Sequence, residues 1–287
     1  MDILDQFVHR DFIEQELGFS EVYKYLDLYL DFDWEPVQKT DIKRNKSVKL
    51  NRTIWIFWKQ GMENAPLLVQ KCYESVCRNK PQDFEIILLT DSNLNKYIDL
   101  PDYIQDKFEK GYMEIAHLSD VIRLELLHTY GGCWIDATVF CSGKIPEYML
   151  KGDMFVFKLA SVLTDPVLKL SNWWISADQT NRLIDLTRQA LYKYWQSEVS
   201  VRNYFLFHII MSKLIDENWE CKDIFQRIPY FNSGHAHVLQ GKLGAEYREE
   251  EWQTIKSTAC VHKLTYKIRY LQGDIYNYYM ALLANDL

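Results

Sequence analysis

The chain has 287 residues, 48% hydrophobic and 15% aromatic, including 19 Tyr and 9 Trp, with a formal net charge of -7. That is enough apolar material for one large domain, or one with a small appendage. The acidic balance argues against a general nucleic-acid binder, which needs a basic footprint. The six cysteines, Cys72, Cys77, Cys133, Cys141, Cys221 and Cys260, form no CxxC pair, so a zinc ribbon or thioredoxin-like motif is not expected.

The N-terminal segment MDILDQFVHRDFIEQELGF is acidic and lacks the basic-then-apolar pattern of a signal peptide. No run approaches the roughly 18 apolar residues of a membrane span. A reduced, soluble, cytoplasmic protein is the expectation. Residues 1–50 read as a charged helical extension ending in a basic, polar linker, and 51–287 as the main domain. TIWIFWKQG is a short apolar strand closed by Gly61. Residues 65–79 have helical periodicity, with Pro66 near the first turn. FEIILLTD, 84–91, reads as a strand buried on both faces, as in a parallel sheet.

LPDYIQDKFEKG predicts a short helix capped by Gly111. Residues 117–130 predict an amphipathic helix, Gly131-Gly132 a break, and 133–140 a buried strand carrying Asp136 toward its end. Beyond residue 150, MFVFKLA reads as a strand. NRLIDLTRQALYKYWQ and NYFLFHIIMSKLIDENW read as helices, and 260–287 begins with CVHKLTYK and ends in an aromatic helix. This alternation predicts an α/β fold with a mostly parallel sheet flanked by helices. Such sheets bind ligands at the carboxyl ends of their strands, which directs attention to Asp136 and to Trp58 at the end of the first strand.

Asp120 and Arg123, three apart on a helix, lie side by side. The helix leads through the Gly-Gly turn into the strand that presents Asp136. A charge in an apolar run costs several kcal/mol unless paired or bound to a metal. Gly131 and Gly132 let the backbone turn sharply and approach a ligand closely; a plain helix stop accounts for them as well. Strand alternation forbids Trp55 and Trp58 from pointing the same way unless the strand bulges. Asn172, Trp173 and Trp174 come after the sheet core and offer aromatic faces of the kind that suit sugar rings. His208 reads as a core histidine. His235 and His237, in SGHAH on a strand or loop, have ligand-like spacing but no carboxylate beside them.

IWIFWKQGMENAPLLVQKCYESV, EIILLTDSN, LPDYI, HLSDVIRLELLHTYGGCWIDATV, NWWISA, YFLFH and VHKLTYK occur in the order seen in bacterial capsular polysaccharide synthesis proteins. Over roughly residues 50–268 the chain resembles these glycosyltransferases of the glycosyltransferase 32 type. The resemblance implies a GT-A fold and transfer of a hexose from a UDP- or GDP-sugar, with retention at the anomeric carbon. The acceptor would be a capsule or surface glycan, or a lipid-linked oligosaccharide at the inner membrane face.

It also implies a divalent metal, Mn²⁺ or Mg²⁺, as Lewis acid for the diphosphate. Asp136 matches the first acid of an Asp-x-Asp motif that here reads Asp136-Ala137-Thr138, so Thr138 offers only a hydroxyl. Asp120 and Arg123 match the pair that holds the donor sugar. Ile54 to Trp58 match the strand under the base, which brings Trp55, Ile56 and Trp58 to the donor. His262 would complete the metal shell and Lys263 would meet the phosphates. Two rivals share these motifs: a non-catalytic binding protein on a decayed fold, which the missing second acid favours, and a toxin-like enzyme that glycosylates a host protein.

Overall fold

The structure, a computed structural model, describes residues 3–29, 45–159, 166–267, 275–285 and 287, with side chains from residue 14 onward. Residues 30–44, where the sequence suggests most of a linker, lie outside the described residues. The chain opens with helix α1 (Ile3–Tyr25) and enters the sheet at β1 (Thr53–Phe57). Helix α2 (Leu67–Asn79) crosses to β2 (Glu85–Leu89), and helices α3 (Asp102–Glu109) and α4 (Ile115–Tyr130) lead to β3 (Gly132–Ile135). Strands β4 (Val139–Cys141), β5 (Met154–Lys158) and β6 (Leu170–Ala177) follow. Five helices then run in series: α5 (Arg182–Ser197), α6 (Leu206–Glu217), α7 (Trp219–Arg227), α8 (Ser233–Lys242) and α9 (Glu249–Thr258). Strand β7 (Val261–Lys263) and helix α10 (Tyr278–Ala284) close the chain.

The central sheet has the order β2-β1-β3-β6-β5. Strand β1 runs parallel to β2 and β3, while β6 is antiparallel to both β3 and β5. Four strands therefore share one direction and β6 alone is reversed, which makes the expected mostly parallel α/β sheet. Period-2 alternation sorts β1 onto two cores. Trp55 and Phe57 join α4, α5 and α6 on one face, and Ile54 and Ile56 join Val69 of α2 on the other. Phe19, Val22 and Leu26, from α1 and the turn after it, belong to the first core, with Phe19 edge-on to Phe205 at 5.3 Å. No helix among the described residues is long and apolar enough to cross a membrane.

The structure departs from the sequence reading at four places. The 133–140 strand is two strands: β3 stops at Ile135, a turn takes 136–138, and β4 pairs with β7 in a separate two-stranded sheet. Strand β2 is not buried on both faces, because it forms the sheet edge and Glu85–Leu88 are half-exposed. NWWISA is a central strand, β6, rather than a segment beyond the sheet. SGHAH opens helix α8 rather than lying on a strand or loop, with Asn232 capping it through its side chain on the Gly234 N–H.

The α4–β3 connection requires both of its glycines. Gly131 has φ +67° and Gly132 φ +94°, which L side chains rarely adopt. A Cβ on Gly132 would stand 2.2 Å from the Thr53 carbonyl oxygen, and one on Gly131 1.8 Å from Asn51 Oδ1. The helix is thereby stopped and turned tightly against the start of β1.

Candidate active site

Helix α4 is buried along most of its length, and Asp120 and Arg123 are buried with it. This is no surface salt bridge. Arg123 Nη1 donates to Asp120 Oδ1 at 2.7 Å, and Nη2 to Asp136 Oδ1 at 3.2 Å. Its guanidinium lies 4.9 Å from the Trp134 ring centroid and 5.4 Å from that of Phe207, so two aromatic faces replace lost water. Asp120 also accepts from Asn172 Nδ2 at 2.9 Å, and His117 Nδ1 lies 3.8 Å from its other oxygen.

Asp136 follows β3 directly, its N–H donating to the Trp173 carbonyl at 2.9 Å. Its Oδ1 accepts from Trp134 Nε1 at 2.8 Å as well as from Arg123, and its Oδ2 accepts from Lys263 Nζ at 2.8 Å. The same ammonium donates to Thr138 Oγ1 at 2.6 Å. Burial pushes the Asp136 carboxyl up, but the Lys263 and Arg123 charges, with the hydrogen bonds from Lys263 and Trp134, outweigh it and hold the carboxyl below its usual range. Helix α4, the turn after β3 and strand β7 thus build one chain of alternating charge, Asp120–Arg123–Asp136–Lys263, at the carboxyl end of β3. Asp120 and Arg123 side chains are 8% and 4% exposed, whereas Asp136 and Lys263 are 25% and 20% exposed. Asp136 and Lys263 are open to solvent, and Asp120 and Arg123 lie behind them.

Several expected members stand elsewhere. Trp55 is fully buried between Tyr97 and Tyr130 and donates Nε1 to the Gly131 carbonyl at 3.0 Å, and Ile56 packs in the opposite core, so neither is open to a base. Gly131 and Gly132 lie at the start of β3, about 13 Å along the strand from Asp136; they serve the turn and not a ligand. Trp173 and Trp174 are core residues. Trp173 stacks on Phe157 at 4.5 Å and Trp174 donates Nε1 to the Met149 carbonyl at 2.9 Å, which leaves no ring face for an acceptor. Asn172, at the start of β6, does reach the site through Asp120. Trp58, just past β1, is half-buried with Tyr266 edge-on at 5.4 Å, at the same end of the sheet as Asp136.

The expected metal ligands do not converge. Lys263 and His262 are neighbours on β7, so alternation sends the imidazole away from Asp136. His262 is fully buried, shares a hydrogen bond of 2.9 Å with Ser142 Oγ, and sits near Phe140 and Trp252. Burial pushes its pKa down to about 4. Among the described residues no group of three or more His, Cys, Asp or Glu is arranged to hold a metal ion. His237 Nδ1 is 2.8 Å from the Ser233 carbonyl, within helix α8. Asp136 and Thr138 therefore face an ammonium where the resemblance implies a divalent ion, and the donor set does not fit that ion.

The residue that sequence reasoning missed most plainly is Trp134. Its signal is local, because it stands two positions before Asp136 and so on the same side of the chain. His117 stands three before Asp120 and is found by the same helical spacing. Phe207 reaches Arg123 from a distant helix and has no local signal.

The chain is similar to several known proteins. O-glycosyltransferase braB of Annulohypoxylon truncatum is 27% identical over 173 residues, 55% of this chain and 41% of that protein. Glycosyltransferase afumC of Aspergillus fumigatus is 30% identical over 93 residues, 30% of this chain and 24% of that protein. The chain thus spans less than half the length of these relatives. Among solved structures, a chain described as PaToxG Glycosyltransferase superposes with a TM-score of 0.42 at 14% identity, over 90% of this chain and 96% of its own. The family model described as capsular polysaccharide synthesis protein matches residues 11–282, and the chain belongs to that family.

Proposed function

We propose that the protein is a glycosyltransferase that moves a hexose from a UDP- or GDP-sugar to a glycan or lipid-linked oligosaccharide acceptor at the cytoplasmic membrane face. The observation that carries this reading is the buried Asp120–Arg123–Asp136–Lys263 chain, open to solvent only at Asp136 and Lys263. Family membership and relatives named as glycosyltransferases support it.

In the proposed reaction the bond between the anomeric carbon and the diphosphate oxygen breaks, and its electron pair stays on that oxygen. The acceptor hydroxyl oxygen bonds to the anomeric carbon, and its proton leaves with the diphosphate. Asp136 accepts hydrogen bonds from donor hydroxyls while Arg123 and Trp134 fix its orientation. Asp120, with Asn172 on it, holds Arg123 in place and is a positioning residue. Preorganised charge of this kind needs no rearrangement when leaving-group charge develops. Retention at the anomeric carbon rests on the family resemblance and is read from the anomeric configuration of the product.

The test is a screen of UDP- and GDP-hexoses for thermal stabilisation and for release of nucleoside diphosphate. A ligand that binds only the folded state must raise its melting temperature. Stabilisation with turnover supports the enzyme. Stabilisation without turnover, for any acceptor offered, supports a binding protein on a decayed fold. No stabilisation by any donor overturns the reading.

A further inference from the structure

We infer that the Lys263 ammonium stands in the position of a divalent cation, so that the protein takes the diphosphate of its donor without a metal. The inference rests on the glycosyl-transfer reading and names how that site meets phosphate.

The turn after β3 offers two oxygen groups on one side, the Asp136 carboxylate and the Thr138 hydroxyl. One ammonium binds both, at 2.8 and 2.6 Å. A Mg²⁺ or Mn²⁺ ion held by the same two residues would occupy the same space, because it must approach each oxygen at about 2.1 Å. It would also meet the Lys263 and Arg123 charges directly. Oxygen-preferring divalent ions draw on several oxygen donors, and here Asp136 Oδ1 is already committed to Arg123 and Trp134.

The charges agree. Asp120 and Asp136 are balanced by Arg123 and Lys263, so the cluster is neutral as built. An acid at position 138 would leave it with one unbalanced negative charge, which would oppose a diphosphate. Threonine at 138 and lysine at 263 are complementary parts of one solution. Lys263, 20% exposed, carries three N–H donors, of which Asp136 and Thr138 take two. The third is left for a phosphate oxygen. The ammonium keeps its proton throughout and offsets charge on the departing diphosphate by a charge-assisted hydrogen bond. Trp58 lies at the same sheet end, half-buried, with a buried indole N–H that has no partner among the described residues. A donor's nucleoside portion would meet the exposed part of that ring.

Calorimetry with UDP, GDP, uridine and guanosine decides the matter, run on the full chain in EDTA and again in Mn²⁺. The wild type is expected to bind one diphosphate equally well in both buffers. Lys263→Ala should weaken diphosphate binding in EDTA by about tenfold or more and leave the matching nucleoside unchanged. Lys263→Arg should keep most of the affinity. Diphosphate binding by the wild type that appears only with Mn²⁺, or tightens about tenfold with it, overturns the inference while sparing glycosyl transfer. Unchanged binding by a folded Lys263→Ala protein in EDTA overturns it too. Absence of binding in both buffers overturns the inference and the glycosyltransferase reading together. The buffer comparison needs no variant, so it stands even if a substitution impairs folding.

Discussion

Helix α4 carries two buried charge networks, and they differ in where their partners come from. Near its C-terminus, Glu125 accepts from Arg188 Nη1 at 3.2 Å and from the Tyr192 hydroxyl at 2.9 Å, both on α5. His128 Nδ1 lies 3.6 Å from Asp185 Oδ1, and Arg182 donates to Asp185 at 2.9 Å. These residues lie on two helices that pack side by side, at spacings of three and four, and they join α4 to α5. Near the N-terminus of the same helix, Asp120 and Arg123 find partners on β3's end, β6 and β7, which meet only at the carboxyl edge of the sheet. Burial and pairing are common to both networks. Convergence of four elements on one edge, with one end of the chain of charges open, belongs only to the second. A perturbed, buried acid marks a site only when its surroundings converge as well.

The largest effect expected falls on Arg123. Arg123→Met leaves Asp120 buried without its cation, and breaking one side of a buried pair costs about 3–5 kcal/mol of stability. Asp120→Asn added to it should cost little more, since the two act as a unit. Urea midpoints of the two single variants and the double variant check this; additive losses would mean that the residues do not share one network. The same cycle at Arg188 and Glu125 should show coupling in stability with turnover nearly normal, which separates the two networks.

Next comes Asp136. Asp136→Asn is expected to lower turnover by about 10²–10³-fold, the size of losing one preorganised electrostatic group, with circular dichroism unchanged. Asp185→Asn should do the reverse, costing about 1–3 kcal/mol of stability for its disturbed buried hydrogen bonds and leaving turnover within a factor of about three. Equal kinetic damage from both would erase the distinction drawn between the networks.

The sheet and the inner pair were legible in the sequence for the same reason: both rest on short-range spacing. Apolar runs around Trp55, Ile87 and Val156 marked strands, and the i,i+3 step marked Asp120 beside Arg123. The interruption at Asp136 was not legible, because an apolar run reads the same whether or not it changes sheets. Cys133–Ile135 pairs with β1 and β6, while Val139–Cys141 pairs with β7, some 120 residues later in the chain. His262 and Lys263 illustrate the limit. The two lie adjacent in sequence, and only the pairing of β7 with β4 decides which one reaches Asp136. Trp173 and Trp174 are core residues, and in sequence an aromatic pair does not declare whether water or a core surrounds it. Helices α7, α8 and α9 are short, nine or ten residues each, and they emerged only with the fold.

The two depressed histidines give an effect of intermediate size. Burial pushes His208 and His262 down to about 4, with Asp120 and Asp136 pulling His208 up and Arg123 pushing it further down. An unfolded histidine titrates near 6.5. Between about pH 6.5 and 4 the unfolded chain therefore binds more protons than the folded one. Stability from these residues is complete above that window and falls as pH drops through it, by about 1.4 kcal/mol per pH unit for each histidine. Melting curves from pH 7 to 5 should show His262→Gln removing part of this slope while turnover at pH 7 stays normal. Lost turnover in that variant would return His262 to the reacting centre, against its place on the face of β7 turned away from Asp136.

The smallest effect is expected from Thr138→Asp alone. The new carboxylate arrives beside an ammonium already 2.6 Å from the hydroxyl it replaces. It should pair with Lys263 and change stability by no more than about 1 kcal/mol, as a partly exposed ion pair does. Mn²⁺ affinity of the nucleotide-free protein should scarcely rise, because the metal must still displace that ammonium and face Arg123. Joined to Lys263→Ala, the same substitution presents two carboxylates with no ammonium between them, and Mn²⁺ binding should then become measurable by calorimetry. If Thr138→Asp alone binds Mn²⁺ tightly, Lys263 yields its place readily, and the open end of the charge chain is a metal site that lacks one acid. If the double variant binds no better than the wild type, the geometry after β3 cannot cradle a divalent ion at all. The contrast between the two networks of α4 would then lie in the lysine alone.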